Sequence, residues 1–129
     1  MAAGRGLVER LGGVDGLRRI LRRFYARLAA DPMVGFFFAG RDLGGIVEGQ
    51  LGFLLYAFGE VPQLRVRHPR DAHGGLPPIL RGHFDRRLVV LEETLREAGL
   101  SDEDVRAWLK IETALRRQVQ ARGDSKPRS

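Results

Sequence analysis

Tyr25, Gln50 and His73 are polar side chains at places where a helical core would be apolar. A phenol can donate one hydrogen and accept others, a primary amide carries two donors and an acceptor, and an imidazole exchanges a proton or ligates a metal. Gln50 is the clearest of the set. It sits in the middle of DLGGIVEGQLGFLLYAFG, residues 42–59. The apolar residues of that stretch, Leu43, Ile46, Val47, Phe53, Leu54 and Ala57, recur at steps of three and four and share its helix face. Burying an unpaired amide costs roughly 1–3 kcal/mol. Either Gln50 has a partner inside the core, or the core holds something that is not protein. Taken singly, each residue also has a plainer account: a tyrosine hydroxyl on a backbone carbonyl, a glutamine on a neighbouring helix, a histidine at the surface.

The elements that must position these residues read as helices throughout. Residues 5–11 form a short first helix that Gly12-Gly13 stops. Asp15 is the expected N-cap of the second, which runs to about Ala30 with Leu17, Ile20, Leu21, Phe24, Tyr25 and Leu28 on one face. Arg18, Arg19, Arg22, Arg23 and Arg27 make its solvated face. Asp31-Pro32 ends it, and Phe36, Phe37 and Phe38 follow in a linker. Consecutive phenylalanines cannot all point one way, so at least one should plug a cavity. After the central helix, residues 60–72 are polar and irregular, and His73 stands just before Gly74-Gly75 and Pro77-Pro78, which allow little helix around it. A long helix spans about Arg81 to Ala98, with Phe84, Leu88, Leu91 and Leu95 inward and Gly99 as its stop. Ser101 caps the last helix, with Asp104 in the capping-box place. Val105, Trp108, Leu109, Leu115 and Val119 track its faces, and Glu112 is the polar exception.

A chain of 129 residues with 43% hydrophobic content fits one globular domain. It contains no cysteine, which excludes disulfides, thiolate metal sites, cysteine catalysis and C-x-x-C-H attachment. No run is long and apolar enough for a membrane span, and the N-terminus lacks the apolar core of a signal peptide. The net charge of +6 comes mostly from arginine, scattered over several segments rather than gathered into one patch.

Read in order, LVERLGG, RFYARLAADPMVGFFFAG, GQLGFLLYAFG, AHGGL and HFDRRL resemble the truncated haemoglobins, most of all their first group, from about Leu7 to Val119. The resemblance implies an all-α fold, the truncated globin's two-over-two helical sandwich. Residues 1–122 would be the single domain and 123–129 a disordered tail. It implies haem b (iron protoporphyrin IX) as cofactor, with His73 as the iron ligand. Phe38 matches the phenylalanine that packs on the porphyrin. Tyr25 matches the tyrosine that points at a bound ligand, and Gln50 the glutamine that bonds both. Ile46 falls where vertebrate globins carry a distal histidine, Phe53 matches a residue of the apolar gas tunnel, and Leu43 and Phe84 join the lining. Arg65, Arg67 and Arg70 are candidates to meet the haem propionates. His68, in its Arg67-His68 context, is the rival iron ligand. The central helix ends in Gly59-Glu60, where the family has Gly-Gly.

The activity implied is reversible binding of dioxygen and other diatomic gases, with nitric oxide dioxygenation as a second role that draws on an unidentified reductase. The protein would be bacterial, cytoplasmic, and a monomer or weak dimer, with neither nucleic acid nor a membrane span in its function. The alternative is a haem-free, globin-like binding or sensing module. A basic nucleic-acid-binding domain ranks last, since it rests on charge alone.

Overall fold

The computed structural model describes residues 6–61 and 81–124, with side chains for 6–61 and 82–114. Within them, α1 spans Leu7–Arg10, α2 Gly13–Ala30, α3 Leu43–Ala57, α4 Arg81–Glu97 and α5 Asp102–Asp124, with a 3-10 turn at Gly35–Phe38. No strand occurs among the described residues. α2 packs on α3, α4 on α5, and α2 also lies against α4, so two helix pairs stack as expected for a two-over-two sandwich.

The start of α2 differs from the expectation. Its N-cap is Gly12 in the left-handed conformation at φ 95°, and Asp15 lies inside the first turn. Glycine adopts that backbone without a steric penalty, so the helix begins before the aspartate reaches the cap position. Asp15 instead accepts from Arg18 at 2.9 Å. The apolar stripe of α2 is as read: Leu17, Leu21, Phe24 and Leu28 are buried, with Tyr25 beside them. Its arginine face is only partly solvated, because Arg18 pairs with Glu48 of α3 at 2.8 Å and Arg27 pairs with Glu97 of α4.

Asp31 closes α2 and starts the next corner. One oxygen of its carboxylate accepts the backbone N–H groups of Met33 (2.8 Å) and Val34 (3.3 Å), while the other takes Nε of Arg86 on α4 (2.8 Å). Of the three consecutive phenylalanines, Phe37 is buried, Phe36 is exposed and Phe38 is half-buried. That alternation follows from the 3-10 turn, where successive side chains diverge by about a third of a circle.

α3 buries Val47, Gln50, Leu51, Phe53 and Leu54, more than one stripe, as suits a helix apolar around most of its circumference. A single glycine closes it: Gly59 takes φ 80°, and Glu60 N–H reaches Leu55 O at 2.8 Å. The second glycine of the family pattern is not needed for this closure.

In α4, Leu91 and Leu95 are fully buried and Phe84 is buried, but Leu88 is only half-buried; Val90 and Thr94 complete the inward face instead. Thr94 is tolerated there because its hydroxyl donates back to Val90 O at 2.8 Å. Ser101 caps α5 as expected, its Oγ accepting Asp104 N–H at 3.2 Å. The Asp104 carboxylate accepts from Nε of Arg10 at 3.0 Å and so ties α5 to α1. α5 is helical through Asp124, two residues into the stretch read as a tail from Gly123.

Candidate functional site

Tyr25 and Gln50 come from helices that cross, α2 and α3, and both are buried. They do not bond each other directly in this structure. Two charged residues lie between them. Arg87 of α4 donates from Nη2 to the Tyr25 hydroxyl at 3.0 Å and, from Nη1, pairs with Oε2 of Glu112 on α5. The other Glu112 oxygen accepts from Gln50 Nε2 at 3.2 Å and from Trp108 Nε1 at 3.4 Å. Each of the four long helices thus contributes to one buried polar cluster.

The cluster is largely buried and charge-balanced. The Glu112 side chain is 2% exposed and that of Arg87 16%. Burial works against the Arg87 cation, but the Glu112 carboxylate and the Tyr25 oxygen outweigh it and hold its pKa above the ordinary value. Burial likewise pushes the Tyr25 phenol up, with Arg87 acting in the opposite sense, so Tyr25 keeps its proton at neutral pH. The guanidinium also lies over the Phe24 ring, 5.0 Å from its centroid. No fully buried side-chain nitrogen or oxygen among the described residues lacks a partner. The demand made by Gln50 is therefore met by protein, through Glu112.

The bond from Arg87 fixes the polarity of Tyr25. A guanidinium has donors and no acceptor. The Tyr25 oxygen must therefore be the acceptor, and its own hydrogen has no recipient among the described residues.

Phe38 meets Tyr25 edge-on, with ring centroids 5.9 Å apart. Leu43 and Ile46 are half-buried, each about one helical turn further from Gln50, and Phe53, three residues after it, is buried. Phe84 is buried on α4. His83 packs edge-on against Phe36 and Phe37, at 5.5 and 5.0 Å, rather than standing free in solvent. His73, His68, Arg65, Arg67 and Arg70 lie outside the described residues. Among the described residues no cluster of three or more His, Cys, Asp or Glu could hold a bare metal ion.

A haem with a ligand on one side needs apolar side chains not already covered by protein, and an oriented donor near the ligand. Phe38, Leu43 and Ile46 supply the first, being apolar and only half-buried. Tyr25, with an uncommitted hydrogen, supplies the second. The described residues therefore fit the ligand side of such a group.

Sequence reasoning missed Arg87, and it noted Glu112 only as an exception. A signal was present. Arg87 is three residues after Phe84 and four before Leu91, hence on the inward stripe of its helix, and Glu112 holds the same kind of place between Trp108 and Leu115. Opposite charges on the apolar faces of consecutive helices are expected to find each other, since neither is buried alone.

Residues 6–121 match the family model described as bacterial-like globin. The chain is 35% identical over 100 residues to the group 1 truncated hemoglobin GlbN of Synechocystis sp., covering 75% of this chain and 81% of that protein. It is 30% identical over 114 residues to the group 1 truncated hemoglobin LI410 of Chlamydomonas moewusii, covering 88% and 67%. Among solved structures, it resembles the 2/2 hemoglobin from Synechococcus sp. PCC 7002, in the cyanomet state and with covalently attached heme, with a TM-score of 0.76 at 30% identity over 88% of this chain and 96% of that one. A truncated hemoglobin from Tetrahymena pyriformis gives a TM-score of 0.77 at 26% identity, over 88% and 96%.

Proposed function

The chain belongs to the bacterial-like globin family, as a group 1 truncated haemoglobin, and from that premise we propose that it holds haem b and binds dioxygen reversibly. When bound, the haem supplies the iron that takes up a diatomic gas. His73 would be the residue that holds that iron, a role suited to an imidazole nitrogen. Phe38 would pack on the porphyrin, with Leu43, Ile46, Phe53 and Phe84 in the apolar lining. Tyr25 would donate its hydrogen toward the ligand, with Gln50 as a second candidate donor.

The observation that carries this reading is the orientation of Tyr25. Its oxygen accepts from Arg87, so its hydrogen is left for a group that the described protein does not supply. An oriented donor in a buried pocket would stabilise the negative charge that dioxygen gains when it is bound. The same site suits dioxygenation of nitric oxide. Each nitrate formed from nitric oxide and dioxygen would consume one electron, so repeated turnover would need a reductase to supply it.

The test uses the full chain loaded with haemin and reduced. It should take up and release oxygen reversibly, and the oxygenated protein should convert a pulse of nitric oxide to an equal amount of nitrate. Immediate oxidation in air, with no oxygenated form, would refute reversible binding. One observation favours a second reading, a haem-free binding or sensing module: Tyr25 and Gln50 both already have protein partners. A chain that stays folded and colourless in excess haemin would establish that reading.

A further inference from the structure

Arg87 has so far been only a donor to Tyr25, and Glu112 has had no role toward a ligand; the position of the pair beside both pocket residues gives it a further one. We propose that Arg87, anchored by Glu112, is a positioning residue that commits the Tyr25 hydroxyl to donate toward the bound gas, and so sets a preference for dioxygen over carbon monoxide. This rests on the haem reading above.

A phenol in an apolar interior donates to the strongest acceptor within reach. That acceptor is Glu112, an anionic carboxylate buried in the same cluster and separated from Tyr25 by the width of one guanidinium. Arg87 occupies that gap. Having only donors, it satisfies the carboxylate on one side and the phenol oxygen on the other, and it leaves the phenol hydrogen no recipient within the cluster. The hydrogen is then available to a ligand without breaking any hydrogen bond among the described residues. Gln50 and Trp108 both donate to Glu112 Oε1, so the carboxylate cannot easily turn away from Arg87.

Selectivity follows from charge. Dioxygen would gain negative charge when bound and so profit from a donor, whereas carbon monoxide would stay nearly neutral and gain little. Disturbing Arg87 should therefore weaken oxygen binding while leaving carbon monoxide nearly unchanged.

Two variants of similar length separate positioning from general packing. Arg87→Lys keeps a cation with donors only. The neutral pair Arg87→Gln with Glu112→Gln keeps polar side chains but offers Tyr25 an acceptor, and it leaves no unpaired charge in the core. The readouts, on the full haem-loaded chain, are the C–O stretching frequency of the carbon monoxide complex and the dissociation rates of oxygen and carbon monoxide. The double variant should raise the C–O stretch, because a donor near the ligand oxygen lowers it. It should also speed oxygen release about tenfold, as expected for loss of one oriented hydrogen bond, with carbon monoxide release little changed. Arg87→Lys should stay close to the parent on all three. A double variant with the parent's stretch and the parent's ratio of oxygen to carbon monoxide release would overturn the role of Arg87 while leaving the haem reading intact. A parent chain that takes up no haem would overturn both.

Discussion

Gln50 Nε2 on α3 stands 3.2 Å from Glu112 Oε1 on α5, joining residues 62 positions apart through the middle of the core. Since Glu112 also carries Arg87 and Trp108, its carboxylate is the acceptor on which this cluster converges. Glu112→Ala should cost about 3–5 kcal/mol of stability in urea unfolding, because it strands a buried guanidinium. Replacing the pair together, Arg87→Met with Glu112→Leu, should cost less than Glu112→Ala alone, since no charge is left behind. If the double replacement proved the worse of the two, the desolvation account of this pair would be wrong.

Tyr25→Phe separates binding from folding. The variant loses one hydrogen bond from Arg87, whose pairing with Glu112 persists, so stability should fall by about 1–2 kcal/mol. Oxygen release from the haem-loaded protein should quicken about tenfold or more. Stopped-flow displacement of oxygen by carbon monoxide measures it, and an unchanged rate would remove Tyr25 from the ligand.

Acid should loosen the clamps at the corners of the fold. The hydrogen bond from Arg86 holds the Asp31 carboxyl below the ordinary carboxylate range, and that from Arg10 does the same for Asp104. A carboxyl with a lowered folded-state pKa adds stability above its unfolded value, near pH 4, and loses it as pH falls through the folded one. Stability should therefore decline as pH is taken from about 5 to about 3. Asp31→Asn and Asp104→Asn, each less stable than the parent at neutral pH, should each flatten that decline when thermal unfolding is followed across the range.

Glycines provide a stability test independent of the polar cluster. A Cβ on Gly16 would come within 1.8 Å of Leu11 O, where α1 turns onto α2, whereas nothing lies within 4 Å of one placed on Gly49 in α3. Gly16→Ala should destabilise by about 3 kcal/mol through overpacking. Gly49→Ala should stabilise by about 0.5–1 kcal/mol by restricting the unfolded chain and favouring helix. Equal melting temperatures for the two would contradict the close approach of α1 to α2.

The helices and their inward faces were legible because apolar spacing is a local property: the stripe Leu17, Leu21, Phe24, Leu28 reads directly from the chain and is buried. Tyr25 and Gln50 were legible for the same reason, as polar interruptions of such a stripe. Their partners were not. Pairing Gln50 with Glu112, or Tyr25 with Arg87, requires knowing how α4 and α5 cross the first helix pair, a long-range fact that no single helix pattern contains. Asp15 failed as a cap because Gly12, which can take the left-handed backbone, starts the helix earlier. The resemblance to truncated haemoglobins supplied the stacking of the pairs; it said nothing of Arg87.

The haem proposed for this core would be tethered by His73. The direct measurement is the absorption spectrum of the haemin-treated, reduced chain, with and without carbon monoxide, in the parent, His73→Ala and His68→Ala. An intense Soret band that shifts with carbon monoxide in the parent and in His68→Ala, and is lost or strongly altered in His73→Ala, is the predicted result. A parent spectrum no different from free haemin, or a band that vanishes with His68 and not with His73, would contradict it.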